Sequence, residues 1–231
     1  MLTKIKIGTK LLFIIVLVSL ITISINILLS NSNFRSYAEN QTFSQLTSVR
    51  EMKKHQVEDY FQQITNQVIT LSESSMVSNA MVSFSEAFTF KDKEVLLTNK
   101  ANEKLKQYYQ REFLTRYPEK NTDSKVSNFW PSSKISQYFQ HAYIANNPNI
   151  TGEKHLLDNS GNNTEYDQVH QNYHQFLLSY LEKFGYYDIF MIDAESGHIV
   201  YSVFKEIDFA TSLYSGPHKN SNLARVFRNA M

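Results

Sequence analysis

The sequence predicts an α+β protein in which an N-terminal transmembrane helix continues into a long extracytoplasmic helix and then into a mixed module. Three observations predict this class. An uncharged apolar run covers residues 11–29, residues 31–90 contain neither Pro nor Gly, and two β-rich runs flank a short turn at 194–197. At 231 residues, the chain has room for one domain or two small ones.

The apolar run Leu11–Leu29 has 19 residues, no charge and four polar side chains. A helix of about 20 largely apolar residues is long enough to cross a bilayer, so we predict a transmembrane helix over 11–30. The alternative is a cleaved secretory signal. The run is longer than the apolar region of a typical signal, and no small-residue cleavage site follows it closely. These two features favour an uncleaved anchor in contact with membrane lipid.

Charge predicts the orientation of this anchor. Lys4, Lys6 and Lys10 lie in the tip 1–10, and no acidic residue precedes Glu39. Short basic flanks stay on the cytoplasmic side of a membrane. We therefore expect a single-pass membrane protein with a cytoplasmic N-terminus and an extracytoplasmic bulk.

Composition excludes several classes of protein. The chain has no Cys, which excludes disulfide scaffolds, thiolate metal sites and cysteine nucleophiles. The net charge of +1 gives no general reason to bind nucleic acid. No Gly-rich phosphate loop and no nucleophile-elbow motif occurs. We predict no enzymatic activity, no cofactor and no nucleic-acid partner.

Residues 31–90 predict a long membrane-distal helix, roughly 85–90 Å in length at 1.5 Å per residue. Apolar residues recur at spacings of three and four along one face. This face consists of Val57, Phe61, Ile64, Val68 and Leu71. Because a single helix cannot bury such a face alone, we expect it either to form a homodimer or to pack in the core of its own domain. The Ser-rich segment 72–85 is the expected position of a bend.

Residues 91–231 predict a helical segment followed by a small β element. Periodicity indicates helices over 92–117, 135–145 and 164–183, with Gly185 ending the third. The expected inner face of that third helix includes Val169, Tyr173, Phe176 or Leu177, and Tyr180 or Leu181. Strands at 186–193 and 198–204 around a Gly-containing turn predict a hairpin, and Ser221 or Asn220 is the expected N-cap of a last helix.

Two patterns suggest metal binding only weakly. His170 and His174 share a helix face, but Gln171 stands where a zinc protease has Glu. The loop 158–163 lacks the Gly and Glu positions of a calcium loop. We therefore expect solvent-facing or hydrogen-bonded histidines and no metal site.

Three stretches together resemble the N-terminal sensory region of bacterial transmembrane receptors, chiefly methyl-accepting chemotaxis proteins. These stretches cover 45–74, 138–213 and 221–227. The segment DIFMIDAESGHIVYSVFKE resembles the opening hairpin of a Cache domain, an extracellular relative of the PAS fold. The resemblance implies a homodimeric receptor that binds a small-molecule ligand in its α/β module.

Such receptors have further strands, a return membrane helix, a HAMP linker and a cytoplasmic signalling domain. None of these follows within the 231 residues, so we expect the Cache/PAS-like module to be incomplete and the chain to be the first part of a longer receptor. A sensor histidine kinase or nucleotide cyclase could carry the same input region. A stand-alone anchored binding or adaptor protein is the alternative, and an extracytoplasmic enzyme is a third.

Polar and aromatic residues near the predicted hairpin are the candidate ligand contacts. Tyr187 and Asp188 alternate along a strand, so at most one of them faces a pocket directly. The full candidate set is Tyr143, Asn146, Asn147, Asp158, Tyr187, Asp188 and Tyr201.

Overall fold

The computed structural model describes residues 6–89, 97–116 and 125–231. Lys4 of the predicted topology signal lies outside these residues, as do the predicted helical residues 92–96 and 117. The chain divides into two compact units, Met1–Thr70 and Leu71–Met231. The division falls inside the helix predicted over 31–90, so the Ser-rich part of that segment belongs to the second unit.

Within the described residues, the first unit consists of one helix, α1, which spans Ile7–Glu73 and ends just inside the second unit. Its 67 residues correspond to a length of about 100 Å at 1.5 Å per residue. Among the described residues, α1 is the one helix long and apolar enough to cross a membrane. Its apolar N-terminal side chains are exposed, which is how lipid-facing side chains appear when no bilayer surrounds them.

The polar residues inside the apolar run bond to their own helix. Each donates to the carbonyl oxygen four residues earlier, at 2.8–2.9 Å. A polar group in hydrocarbon must find its partner internally, so these side chains are compatible with a lipid environment. The four residues are Ser19, Thr22, Ser24 and Asn26.

The predicted dimer face of α1 is largely uncovered within the described part of one chain. Val57, Phe61 and Val68 each expose more than half of their surface, and Ile64 and Leu71 are half-buried. A row of apolar side chains at this spacing favours pairing with another helix.

The second unit begins with a break in the helix. Ser74 adopts an extended conformation, and a new helix, α2, spans Ser75–Phe88. The predicted bend in the Ser-rich segment is therefore confirmed. Beyond the break, Phe84 and Phe88 are buried in the core of the second unit, so α2 is a core helix.

The remaining elements are mostly helical. The helices are α3 (Asn99–Tyr108), α4 (Leu114–Arg116), α5 (Val126–Phe129), α6 (Lys134–Gln140), α7 (Glu165–Phe184) and α8 (Asn222–Ala230). π-helical turns extend α3 over Tyr109–Phe113 and α6 over His141–Ala145, and a 3₁₀ turn covers Lys154–Leu156. The two strands are β1 (Phe190–Ile192) and β2 (Ile199–Ser202). The predicted α+β class is confirmed in its coarse form, and α5 lies between the helices predicted over 92–117 and 135–145.

The ends of α7 follow from local sequence signals. Thr164 and Asp167 form a capping box at its start, and Gly185 ends it in the left-handed conformation at φ 70°. The predicted inner face needs one correction. Its fully buried residues are Tyr166, Asp167, His170, His174, Leu177 and Leu181. Both histidines are buried, and three of their four ring nitrogens have hydrogen-bond partners among the described residues, which hydrophobic periodicity could not indicate.

Gly185→Ala tests this helix end. No atom lies within 4 Å of the place where a Cβ would sit, so the cost comes from the backbone conformation alone. We expect a loss of about 1 kcal/mol in the free energy of unfolding, measured by urea denaturation. Gly185→Asn is the control and should lose less, because Asn tolerates the left-handed region. Equal losses for the two variants would contradict this explanation.

β1 and β2 pair antiparallel around the predicted turn, which confirms the hairpin. The strands are shorter than predicted. Asp188 accepts from the backbone amides of Ile189, Val203 and Phe204, and the Val203 amide is shared with the Ile189 carbonyl across the hairpin. Every residue of β2 is buried, which places this strand inside the core of the second unit.

Candidate functional site

Five polar or charged side chains meet in the core of the second unit, between α7, the π turn after α6 and the end of β2. Each is at most 1% exposed. We call them the buried polar cluster, and they are Tyr143, His170, His174, Tyr201 and Lys205.

The two histidines of the cluster stack at 4.4 Å between ring centroids. Nε2 of His174 lies 2.6 Å from the carbonyl oxygen of His155, and Nδ1 lies 2.7 Å from the hydroxyl of Tyr201. A carbonyl only accepts, so Nε2 of His174 donates to it and Nδ1 accepts from Tyr201. Burial, with Lys205 nearby, lowers the pKa of His174 to about 3. His174 is therefore neutral at physiological pH.

His170 has one satisfied and one unsatisfied nitrogen. Nδ1 lies 2.7 Å from the carbonyl oxygen of Asp158, to which it must donate. Nε2 then carries a lone pair, and it is buried with no hydrogen-bond partner among the described residues. Burial, with Lys205 and His174 nearby, lowers the pKa of His170 well below its usual value. The core thus contains an acceptor that only water or a ligand can satisfy.

Lys205 is the least compensated charge in the cluster. Its Nζ lies 5.3 Å from the ring centroid of Tyr201 and 5.8 Å from that of Tyr143. It donates at 3.3 Å to the carbonyl of Val203, and no described carboxylate oxygen lies within 4.0 Å. Burial lowers the pKa of Lys205 to about 7. The rings supply cation–π attraction in place of a counter-ion.

The backbone at Lys205 is also unusual. Its φ of 53° is in the left-handed region, which non-glycine residues rarely adopt. The hydroxyl of Ser202 accepts from the Lys205 amide at 3.0 Å, and Asp188 accepts from the Ser202 hydroxyl at 2.8 Å. The neighbouring residues therefore hold a buried cation in a costly conformation. Such features cluster at functional sites.

The carboxylate of Asp188 accepts hydrogen bonds from the backbone and from Ser202, and it is not paired with Lys205. Its two carboxylate oxygens accept from Ile189, Val203 and Phe204 amides and from Ser202, at 2.7–3.3 Å. Burial raises the pKa of Asp188 even against these hydrogen bonds. The carboxylate thus organises the chain after β2. Against the larger, lowering effect of burial, its charge raises the pKa of Lys205, but it forms no direct ion pair with it.

Asp167 anchors the other side of the cluster. Tyr143 donates to Oδ1 at 2.6 Å, and Ser160 and Thr164 donate through both hydroxyl and amide. Burial alone would raise the pKa of Asp167, but these hydrogen bonds to the charged form lower it. Tyr143 is therefore fixed in orientation beside Lys205.

A cavity of about 140 Å³ adjoins Lys205. Its walls include Tyr108, Phe113, Lys154, Phe204, Lys205 and Glu206. Three of the nine described lining residues are aromatic, and two are buried lysines. Small-molecule sites commonly combine apolar walls with a few placed polar groups in this way.

Lys154 is the second buried lysine. Its Nζ donates to the carbonyl oxygens of Asn147 at 3.1 Å and Asn149 at 2.6 Å. Burial lowers the pKa of Lys154, and within the described ranges no carboxylate oxygen lies within 4.0 Å of its Nζ. The side chain of Asn147 holds the turn together, because it donates to the carbonyl oxygens of Tyr143 and Lys154.

A second cavity, of about 400 Å³, lies between the end of α2 and the hairpin turn. Its lining includes Glu86, Phe88, Asp193, Glu195 and His198. Asp193 bonds locally to the amide and hydroxyl of Ser196 in the turn. None of the charged residues described in the lining of this cavity is buried.

The predicted ligand residues divide into two sets. Tyr143 and Tyr201 lie in the buried polar cluster, Asp158 contacts it through its carbonyl, Asp188 supports the segment that carries Lys205, and Asn147 supports Lys154. Asn146 is exposed and accepts from Lys104 at 2.7 Å, and Tyr187 is 78% exposed. These two residues lie away from the cluster.

Sequence reasoning missed both lysines. The one signal for Lys205 was a charge directly after the apolar run of β2. No comparable signal marks Lys154. The expectation that the histidine pair is hydrogen-bonded is confirmed, and the solvent-facing alternative is wrong because both rings are buried.

Tyr201→Phe tests the hydrogen bond to His174. The variant leaves a buried acceptor nitrogen unpaired, and we expect a loss of about 1 to 3 kcal/mol in the free energy of unfolding. Urea denaturation of the full chain, followed by the fluorescence of Trp130, measures it. Tyr187→Phe removes an exposed hydroxyl and should change stability by less than about 0.5 kcal/mol. A Tyr201→Phe protein as stable as this control would contradict the assigned tautomer.

Among the described residues, no group of three or more His, Asp or Glu side chains is arranged to hold a metal ion. No protein-family model matches the chain, and no significant match was found among curated proteins or among solved structures. The resemblance to receptor sensory regions therefore stays a prediction.

Proposed function

We propose that this chain is the extracytoplasmic ligand-sensing input region of a transmembrane signal-transduction receptor of the methyl-accepting chemotaxis type. The observation that carries the proposal is Lys205, a buried cation without a counter-ion beside a small cavity. A fold gains no stability from such a group. A buried ammonium group at this position is understandable if a ligand supplies the partner that Lys205 lacks.

The first unit supports a membrane location. The apolar part of α1 is long enough to span a bilayer, its polar side chains are satisfied within the helix, and the basic tip precedes it. In the proposed topology the tip is cytoplasmic and the ligand module is outside the bacterial inner membrane.

The exposed apolar face of α1 supports self-association. In the proposed receptor, Val57, Phe61 and Val68 pack against the same face of a second copy, which removes their surface from water. A ligand then signals by binding more tightly to one arrangement of the dimer than to another.

Cysteine crosslinking tests the dimer. The chain has no native Cys, so Val68→Cys introduces a single reactive thiol on the apolar face. We expect oxidation of membranes containing this variant to give a covalent homodimer, seen as a doubled mass on non-reducing gels. Asn66→Cys is the matched control on the opposite face of the helix and should crosslink at least tenfold more slowly.

The products of this experiment also separate the alternatives. An anchored adaptor that pairs with a different protein would give a Val68→Cys adduct of another mass. Equal homodimer formation by Val68→Cys and Asn66→Cys would contradict the assigned face.

A further inference from the structure

We propose that the cavity beside Lys205 binds a small organic carboxylate, with Lys205 and Lys154 holding the carboxylate and the aromatic walls contacting an apolar body. The inference rests on the proposed sensing function, because it names the chemical class of the ligand for that site.

Two buried lysines bring positive charge to the cavity. Lys154 and Lys205 are both buried and both line the cavity, and neither has a described carboxylate oxygen within 4.0 Å. Aromatic rings lie beside both ammonium groups, at 5.3–5.8 Å from their centroids. A buried charge is stabilised further by a direct partner of opposite charge. An anion would supply that partner.

Within the described residues, both ammonium groups have fewer hydrogen bonds than they have donors. The ammonium group of a lysine has three N–H donors. Lys205 has a single hydrogen bond to a described residue, the one to Val203, and Lys154 has two, to Asn147 and Asn149. Both ammonium groups therefore retain free donors, and a carboxylate offers two acceptor oxygens.

Acidic residues near the cavity act on both lysines from outside ion-pair distance. Burial has the largest effect on the pKa of each lysine and lowers it; against this effect, Asp188 and Asp158 raise the pKa of Lys205, and Glu112 raises the pKa of Lys154. Lys104 and Arg116 lower the pKa of Lys154 and so add positive charge. Because no described carboxylate pairs directly with either ammonium group, an anion in the cavity can still do so.

The size and shape of the cavity limit the ligand that it can hold. A cavity of about 140 Å³ has room for several water molecules or one small organic molecule. Tyr108, Phe113 and Phe204 offer apolar surface. The site therefore suits a carboxylate with a short aliphatic or single-ring body, and it excludes nucleotides and large peptides.

Isothermal titration calorimetry of the full chain in detergent tests the proposal with charge-matched pairs. The probes are butyrate with butyramide and benzoate with benzamide, which keep shape and remove the charge. We expect at least one carboxylate to bind and its neutral amide to bind at least tenfold more weakly. Equal binding of acid and amide, or no binding by either acid, would overturn the proposal.

Variants locate the binding site. Lys205→Met and Lys154→Met remove charge at similar side-chain length, and each should weaken carboxylate binding at least tenfold. Lys100→Met removes an exposed cation outside the cavity and should leave binding unchanged. Near-UV circular dichroism verifies that the variants fold. If either cavity variant folds normally and binds the carboxylate as tightly as the parent, the site is wrong.

These outcomes are distinguishable from failure of the proposed function. A chain that forms the Val68→Cys homodimer but binds no probe keeps its receptor topology and loses the carboxylate assignment. A chain that binds carboxylates through Lys205 but crosslinks to another protein keeps the site and loses the homodimeric receptor.

Discussion

Asp188→Ala is expected to lower the free energy of unfolding by about 3 to 5 kcal/mol. The variant leaves the amides of Ile189 and Phe204 and the Ser202 hydroxyl without their acceptor, and it leaves the Val203 amide with only the Ile189 carbonyl at 3.3 Å. These groups are inside or at the edge of the core, so water replaces the carboxylate poorly. Urea denaturation followed by Trp130 fluorescence measures the loss.

Asp193→Ala is the matched control for this prediction. Asp193 also accepts from a backbone amide and a serine hydroxyl, both of Ser196, but it lies in the hairpin turn and is partly exposed. We expect it to cost about 1 kcal/mol. Similar losses for Asp188→Ala and Asp193→Ala would contradict the role of Asp188 as the organiser of the segment that carries Lys205.

Lys205→Met is expected to raise the free energy of unfolding at pH 7 and to make this free energy depend less on pH above pH 7. The pKa of Lys205 is about 7 in the folded chain against 10.5 for a free lysine, because burial disfavours the ammonium form. Between these values the unfolded chain binds more protons, so the stability of the parent rises with pH. The slope reaches about 1.4 kcal/mol per pH unit.

The comparison of parent and variant isolates this effect. Methionine does not titrate, so the stability advantage of Lys205→Met should shrink by about 2 to 3 kcal/mol between pH 7 and pH 9. Denaturation curves at the two pH values provide the measurement, and the other titrating groups cancel in the difference. A constant advantage across this range would show that the Lys205 ammonium carries no burial cost.

Local signals explain why parts of this fold were predictable. The capping box at Thr164, the left-handed Gly185 and the Gly-containing turn before β2 act within a few residues, and each appears where the sequence indicates. The break at Ser74 also follows from composition.

The site depends on contacts between distant residues, so the sequence predicted only part of it. Lys205 lies against Tyr143, which is 62 positions earlier in the chain, and His174 bonds to Tyr201, which is 27 positions later. Hydrophobic periodicity placed Val169 and Tyr173 on the inner face of α7, although the buried histidines there are polar. Aromatic and carboxylate candidates near the hairpin were found, but a lysine in the core contradicts the usual pattern of burial.

The central claim is that ligand binding in the second unit changes how two copies of α1 associate. The rate of disulfide formation by Val68→Cys in membranes tests it most directly, with benzoate, butyrate or their amides added. The account predicts that a carboxylate changes this rate, that its amide does not, and that Lys205→Met abolishes the change. A rate that is the same with every probe would contradict a ligand-sensing receptor of this kind.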